Sequence, residues 1–190
     1  MSITFEQSPL VRDVLSFHCP RWEELPSIEL YMDQLTNYIN AVYTPLTDPT
    51  EDDPLLTKAM VNNYVKMKVV ARPVNKKYGR TQQAYLLVIC AMKQVLSIPE
   101  LYALIHIGLE KYPLPTAYNY FCTEIESALR MAFSDESRPT LDTARAPNDV
   151  TRLVRRVAQS YACKVYVQKR IQFEQLTRQP EPPRKETAKK

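Results

Sequence analysis

Apolar side chains recur along most of this chain at helical rather than strand spacing. In Ser27–Tyr43 they fall at 28, 31, 32, 35, 38, 39 and 42, the one-sided stripe of an amphipathic helix. Ser27 is the candidate N-cap after Pro26, and Glu29 places a carboxylate in the first turn, where the helix dipole favours it. Residues 44–54 hold three prolines and four acids and read as an acidic loop. A second helix is predicted over about Leu56 to Lys68, with Thr57 as its cap and Met60, Val61, Tyr64, Val65 and Met67 facing inward. Lys58, Asn62 and Lys66 recur at every fourth position and form a row on its other face, bordered by Ala59 and Asn63.

In VVARPVNKKYGR, Pro73 stops a helix and β-branched residues flank a basic turn, which predicts a small β wing at 70–80. A third helix is expected from near Gly79–Thr81 to about Leu96. It is apolar nearly all round, so it belongs at the centre. Ser97-Ile-Pro-Glu100 is a capping box that opens a fourth helix, Pro99–Leu109. A linker around Pro113 and Pro115 leads to a fifth helix from about Thr116 to Phe133, and residues 134–147 form a polar connection. The last helix begins at Asn148 or Asp149 and runs to about Thr177, with a stripe at Val150, Leu153, Val154, Val157, Tyr161, Val165 and Ile171. Its length, about 45 Å, lets it pack either on its own chain or on a second copy. The closing QPEPPRKETAKK is polar, Pro-rich and basic, and is expected to be disordered.

Composition sharpens this picture. A chain of 190 residues suits one domain or a domain with an appendage. Its two glycines, far below the usual ~7%, exclude Gly-rich phosphate loops and folds built on many tight hairpins. The net charge of +4 hides a strong segregation. Residues 1–53 carry 10 acids and 2 bases, residues 54–99 carry 8 bases and no acid, and residues 100–190 carry 11 acids and 15 bases. The middle block coincides with the second helix and the wing, and a basic block of that kind is the footprint of a polyanion binder.

Other chemistry is sparse. Cys19, Cys90, Cys122 and Cys163 are scattered without a CxxC pair, which suits a reduced, cytoplasmic chain. Cys90 reads as a core residue. Cys122 and Cys163 read either as packing cysteines or as a thiol or metal sensor. His18 and His106 have no catalytic or metal spacing, and no GxSxG or Walker motif occurs. The expectation is a non-enzyme with no catalytic residue, metal or cofactor. No run of about 18 apolar residues predicts a membrane span, and no signal peptide is visible at the N-terminus. Tyr112, Tyr118, Tyr120 and Phe121 either line a pocket or seal two helical layers together. No polar anchor among them identifies an effector.

The order helix, loop, helix with a polar outer row, basic wing, apolar helix and capped helix resembles the MerR-type winged helix-turn-helix. The residues carrying that resemblance are Thr57, Tyr64, Lys66, Val69-Val70, Pro73, Tyr78, and Ser97 with Glu100. Three features depart from that pattern: the long loop at 44–55, Lys68 where a helix-ending glycine is usual, and Gly79 in place of a hydroxyl residue. Residues 20–110 also resemble a domain-of-unknown-function family of low-GC Gram-positive bacteria, number 1836 in its series. That likeness rests on Trp22-Glu-Glu-Leu-Pro26, Leu30-Tyr-Met-Asp-Gln34, Val61-Asn-Asn-Tyr-Val-Lys66, Lys77-Tyr78 and Lys93-Gln-Val-Leu-Ser-Ile98.

The resemblance implies a mainly α fold. It divides into an N-terminal extension (1–26), a winged helix-turn-helix with a small β wing (27–110), a C-terminal helical extension (111–178) and a tail (179–190). The expected function is a transcriptional regulator whose partner is double-stranded DNA, acting as a homodimer through the C-terminal helix. Helix 56–68 would read bases through Asn62 and Asn63, with Thr57, Lys58, Lys66 and Lys68 beside them. Arg72, Lys76, Lys77 and Arg80 of the wing would hold phosphates, with Tyr78 packing there or donating its hydroxyl to them. The alternative is a non-enzymatic protein-interaction adaptor that keeps the fold without binding DNA.

Overall fold

The computed structural model describes residues 3–48, 54–134 and 147–177. Glu51, Asp52 and Asp53 of the acidic loop, most of the 134–147 connection and the 179–190 tail lie outside the described residues. The described residues form seven α-helices, two short 3-10 turns (Trp22–Glu24 and Thr44–Leu46) and one two-stranded sheet. In chain order the α-helices and strands are α1 (Pro9–Leu15), β1 (Leu30–Tyr31), α2 (Met32–Tyr43), α3 (Lys58–Lys66), β2 (Lys77–Tyr78), α4 (Arg80–Met92), α5 (Ile98–Lys111), α6 (Leu114–Phe133) and α7 (Asp149–Thr177). Among them no helix is long and apolar enough to cross a membrane.

α4 is the central element. Leu86, Leu87, Ile89, Cys90 and Met92 are buried on several sides of it, as its all-round apolar pattern requires. α2 is tied to it by the buried Tyr43 hydroxyl, which donates to the Leu87 carbonyl at 2.7 Å. α6 and α7 form the largest helix pair. Val157, Tyr161 and Val165 of the long helix are buried against the chain's own core, while Leu153 and Ile171 of the same predicted stripe are exposed. Phe5 seals the end of this pair between Phe133, Tyr166 and Phe173.

Two elements differ from expectation. The predicted helix over Ser27–Tyr43 begins only at Met32, and Ser27 is not its cap. Leu30 and Tyr31 are instead extended and pair antiparallel with Tyr78 and Lys77. The spacing 28, 31, 32 mimics a helix, but the ladder to β2 and burial of Leu30 override it locally. The central helix also stops four residues short of the expected Leu96, and residues 93–96 continue as turns.

The N-terminal segment is an integral part of the core. Its anchor is Glu126 on α6, which is 7% exposed. Arg21 donates to both carboxylate oxygens at 2.8 Å, and the Cys19 backbone N–H donates to Oε1 at 3.0 Å. The His18 ring lies 3.2 Å away. Burial pushes the Glu126 carboxyl up, but the hydrogen bonds from Arg21 and Cys19 and the charges of Arg21 and His18 outweigh it and hold the pKa below its ordinary value. A lowered folded-state pKa gives stability that is present above the unfolded value, about 4.3, and is lost as pH falls through the folded value. Glu126→Gln should therefore cost about 3 kcal/mol at neutral pH in denaturant unfolding. The difference from wild type should shrink in acid below about pH 4, and a pH-independent difference would contradict this account.

Candidate nucleic-acid interface

α3 is held at both ends. The Thr57 hydroxyl oxygen accepts from the Met60 N–H at 3.2 Å, which satisfies one of the orphan donors of the first turn. Just before it, Asn40 of α2 bonds the Leu56 N–H and carbonyl at 2.9 and 3.0 Å, as a strand neighbour would. Val61 and Tyr64 are buried, so Lys58, Asn62, Asn63 and Lys66 lie exposed on the remaining faces.

The helix ends in a full Schellman arrangement. The Val69 N–H donates to the Tyr64 carbonyl at 3.0 Å, and the Lys68 N–H donates to that of Val65 at 3.1 Å. Lys68 sits at the left-handed position of this motif, with φ 59°. This explains why glycine is usual there, and here the position carries an exposed cation instead. Val69 and Val70 are then buried and pin the chain before the wing.

The wing is a tight hairpin. Val74 and Lys77 exchange backbone hydrogen bonds at 3.1 and 2.9 Å across Asn75 and Lys76, whose φ values are 50° and 64°. Positive φ at both central residues is the type I′ pattern, which normally calls for Asn-Gly. Arg72 and Lys76 are exposed, and Lys77 and Arg80 are half-buried. Tyr78 is 2% exposed, so of its two expected roles it takes packing and not phosphate contact: its alternation with Lys77 on β2 turns it inward.

Among the described residues, no hydrogen bond or ion pair engages the side chains of Asn62, Asn63, Lys66, Lys68, Arg72 or Lys76. Other basic residues are already occupied. Lys58 pairs with Asp33 at the start of α2. Arg80 lies 3.6 Å from Glu23 and stacks over Trp22 at 5.9 Å. The Lys77 ammonium sits 5.2 Å over the ring of Tyr31. Lys93 faces inward, its amine bonded to the Leu55 carbonyl, and burial pushes its pKa down.

The aromatic partners Tyr31 and Trp22 escaped sequence reasoning because a sequence separation of 46 or 58 residues from Lys77 and Arg80 carries no periodic signal. Of the aromatic residues after Lys111, Tyr118 donates to the Pro20 carbonyl and Tyr120 to that of Thr151, while Tyr118 and Phe121 also line an apolar cavity with Tyr85, Leu104 and Val154. Cys122 meets Cys19, whereas Cys163 is exposed. Among the described residues no cluster of His, Cys, Asp and Glu is placed to hold a metal.

Residues 20–121 match the family model described as a domain of unknown function, DUF1836. That stretch takes in the sheet, α2 to α5 and the first turns of α6. No curated protein and no solved structure matches the chain.

The left-handed backbone at Lys68 yields a direct test. Lys68→Gly should raise the unfolding free energy by about 1 kcal/mol, the usual cost of a side chain in that region, while Lys68→Ala should leave it nearly unchanged. Urea unfolding of both variants checks it. Equal effects would assign the difference to charge rather than backbone.

Proposed function

We propose that this chain, which belongs to the DUF1836 family, is a DNA-binding transcriptional regulator that reads duplex DNA with α3 and the basic wing. One observation carries this reading. Six exposed side chains, Asn62, Asn63, Lys66, Lys68, Arg72 and Lys76, are left unengaged in a stretch of chain that contains no acid. Asn62 and Asn63 have the paired donor and acceptor that match an adenine edge, and the cations suit phosphates, which position rather than specify. Thr57 is occupied as the helix cap, and Tyr78 supports the wing from below.

The finer parts of the reading belong with it. They are a MerR-like winged helix-turn-helix, a cytoplasmic setting in a low-GC Gram-positive bacterium, and a homodimer through α7. Because Val157, Tyr161 and Val165 pack inward, the dimer would use the opposite side of that helix, where Leu153, Val167 and Ile171 are exposed. The adaptor alternative keeps one observation of its own: Ile28, Tyr31 and Val74 expose apolar surface on and beside the small sheet.

Gel shifts with genomic fragments at low salt, followed by selection from random duplexes, test the function. The expected result is binding that falls steeply with salt and selects paired half-sites. Absence of binding at low salt, with protein partners that survive nuclease treatment, would replace it with the adaptor.

Asn62→Ala should cost about 1–3 kcal/mol on the selected sequence and relax preference there. Lys76→Ala should weaken all sequences alike and lower the salt slope by about 1. Asp33→Asn should tighten binding by releasing Lys58, and unchanged affinity would remove Lys58 from the contact set.

A further inference from the structure

Cys19 and Cys122 stand 103 residues apart in sequence, yet their sulfur atoms lie 3.1 Å apart and both residues are fully buried. Cys19 belongs to the extended segment between α1 and the 3-10 turn at Trp22–Glu24, and Cys122 to the middle of α6. The contact is not a chance approach of two loose side chains. The Cys19 N–H is bonded to Glu126, and its carbonyl accepts from Arg21 at 2.6 Å. The next residue's carbonyl, that of Pro20, accepts from the Tyr118 hydroxyl at 2.8 Å and faces the Cys122 thiol at 3.6 Å. The Trp22 N–H donates to Asn119 at 2.7 Å. Four residues on one side of α6 therefore fix the backbone around Cys19. Cys90 is equally buried but its thiol makes no hydrogen bond to another cysteine among the described residues, and Cys163 is exposed.

We propose that Cys19 and Cys122 are a redox-active dithiol that closes to an intramolecular disulfide by exchange with a low-molecular-weight disulfide. One cysteine, as thiolate, attacks a sulfur of the small disulfide and expels one small thiolate. The second cysteine, as thiolate, then attacks the protein sulfur of the mixed disulfide and expels the other. The two cysteines are oxidised, the small disulfide is reduced to two thiols, and the two cysteine protons end on those leaving groups. Forming the bond requires the sulfurs to close by about 1 Å.

Two features of the fold shape this chemistry. The dithiol is sealed, and its hydrogen bond to Cys122 together with burial holds Cys19 as the unreactive thiol. Exchange therefore waits for the segment carrying Cys19 to lift from α6, and the exposed Cys163 reacts first. Once formed, the bond closes a loop around the whole family-matched region, because Cys19 and Cys122 flank residues 20–121 at either end. A loop that long restricts the unfolded chain strongly. The bond also pins the segment that carries Trp22 and Glu23 against Arg80 at the start of α4. None of this depends on the nucleic-acid reading.

The test uses the full chain with Cys163→Ser, equilibrated in graded ratios of oxidised to reduced glutathione, quenched in acid and alkylated in denaturant. Intact mass should show the loss of two hydrogens and two fewer alkylated thiols. Peptide mapping should find Cys19 joined to Cys122, and dithiothreitol should reverse the change. The folded chain should form the bond at a ratio at least about tenfold lower than the denatured chain does. The thermal midpoint should rise by roughly 10 °C on oxidation. The wild-type chain, alkylated at Cys163 while native, should behave in the same way and serves if the serine variant misfolds. Persistence of both thiols at every ratio would overturn the proposal. So would accumulation of unresolved glutathione adducts, a bond to Cys90 instead, or an unchanged midpoint.

Discussion

The antiparallel pairing of Leu30–Tyr31 with Tyr78–Lys77 is the constraint on which the basic surface depends. Two strands of two residues cannot hold together alone in water. They persist because Leu30 and Tyr78, opposite each other in the register, are both buried, while Tyr31 and Lys77 face outward as a cation–π pair. The ladder thereby fastens the wing to the segment before α2. That segment is in turn fastened to α6 through Trp22, Arg21 and Glu126. A chain of short-range bonds thus runs from the C-terminal helix pair to the hairpin tip, although the two are far apart in sequence.

This arrangement explains what could be read in the sequence and what could not. Helices α3 to α7 were legible because each has an apolar face at helical spacing, and because Thr57 and Ser97 mark helix starts by chemistry that acts within four residues. The turn at Val74–Lys77 was legible from Pro73 and its basic residues. The pairing partner of the wing was not, since β1 is only two residues long and its neighbours continue a helical period into α2. Long-range contacts carry no local pattern, so the Asn40 clamp on Leu56, the Cys19–Cys122 contact and the aromatic cover on Lys77 and Arg80 became visible only in three dimensions. The inward turn of Tyr78 follows from strand alternation, but only once the register is known.

The charge segregation acquires a physical meaning at this level. Acids of the first third reach the edge of the basic block at two points, Asp33 against Lys58 and Glu23 against Arg80. Both pairs are well exposed on the acidic side, where such bridges contribute little to stability. They temper the block at its margins and leave its middle, from Asn62 to Lys76, uncompensated among the described residues. The cations in the middle are solvated and have no carboxylate partner, whereas those at the margins each face one.

The middle of that block is also where the backbone is least comfortable. Among the described residues the non-glycine positive φ angles are those of Lys68, Asn75 and Lys76, all within nine residues. Each occupies a position where glycine would be easier, and the chain's two glycines lie elsewhere, at negative φ or extended. Left-handed residues persist only where the surroundings over-determine them. Here the Schellman bonds to Tyr64 and Val65 and the hairpin bonds between Val74 and Lys77 do so. Two of the three are lysines, so the side chain kept at this conformational cost is a charge on the surface rather than a packing group. These left-handed residues are held by the bonds of the helix end and the hairpin, and those bonds set where the exposed lysines stand.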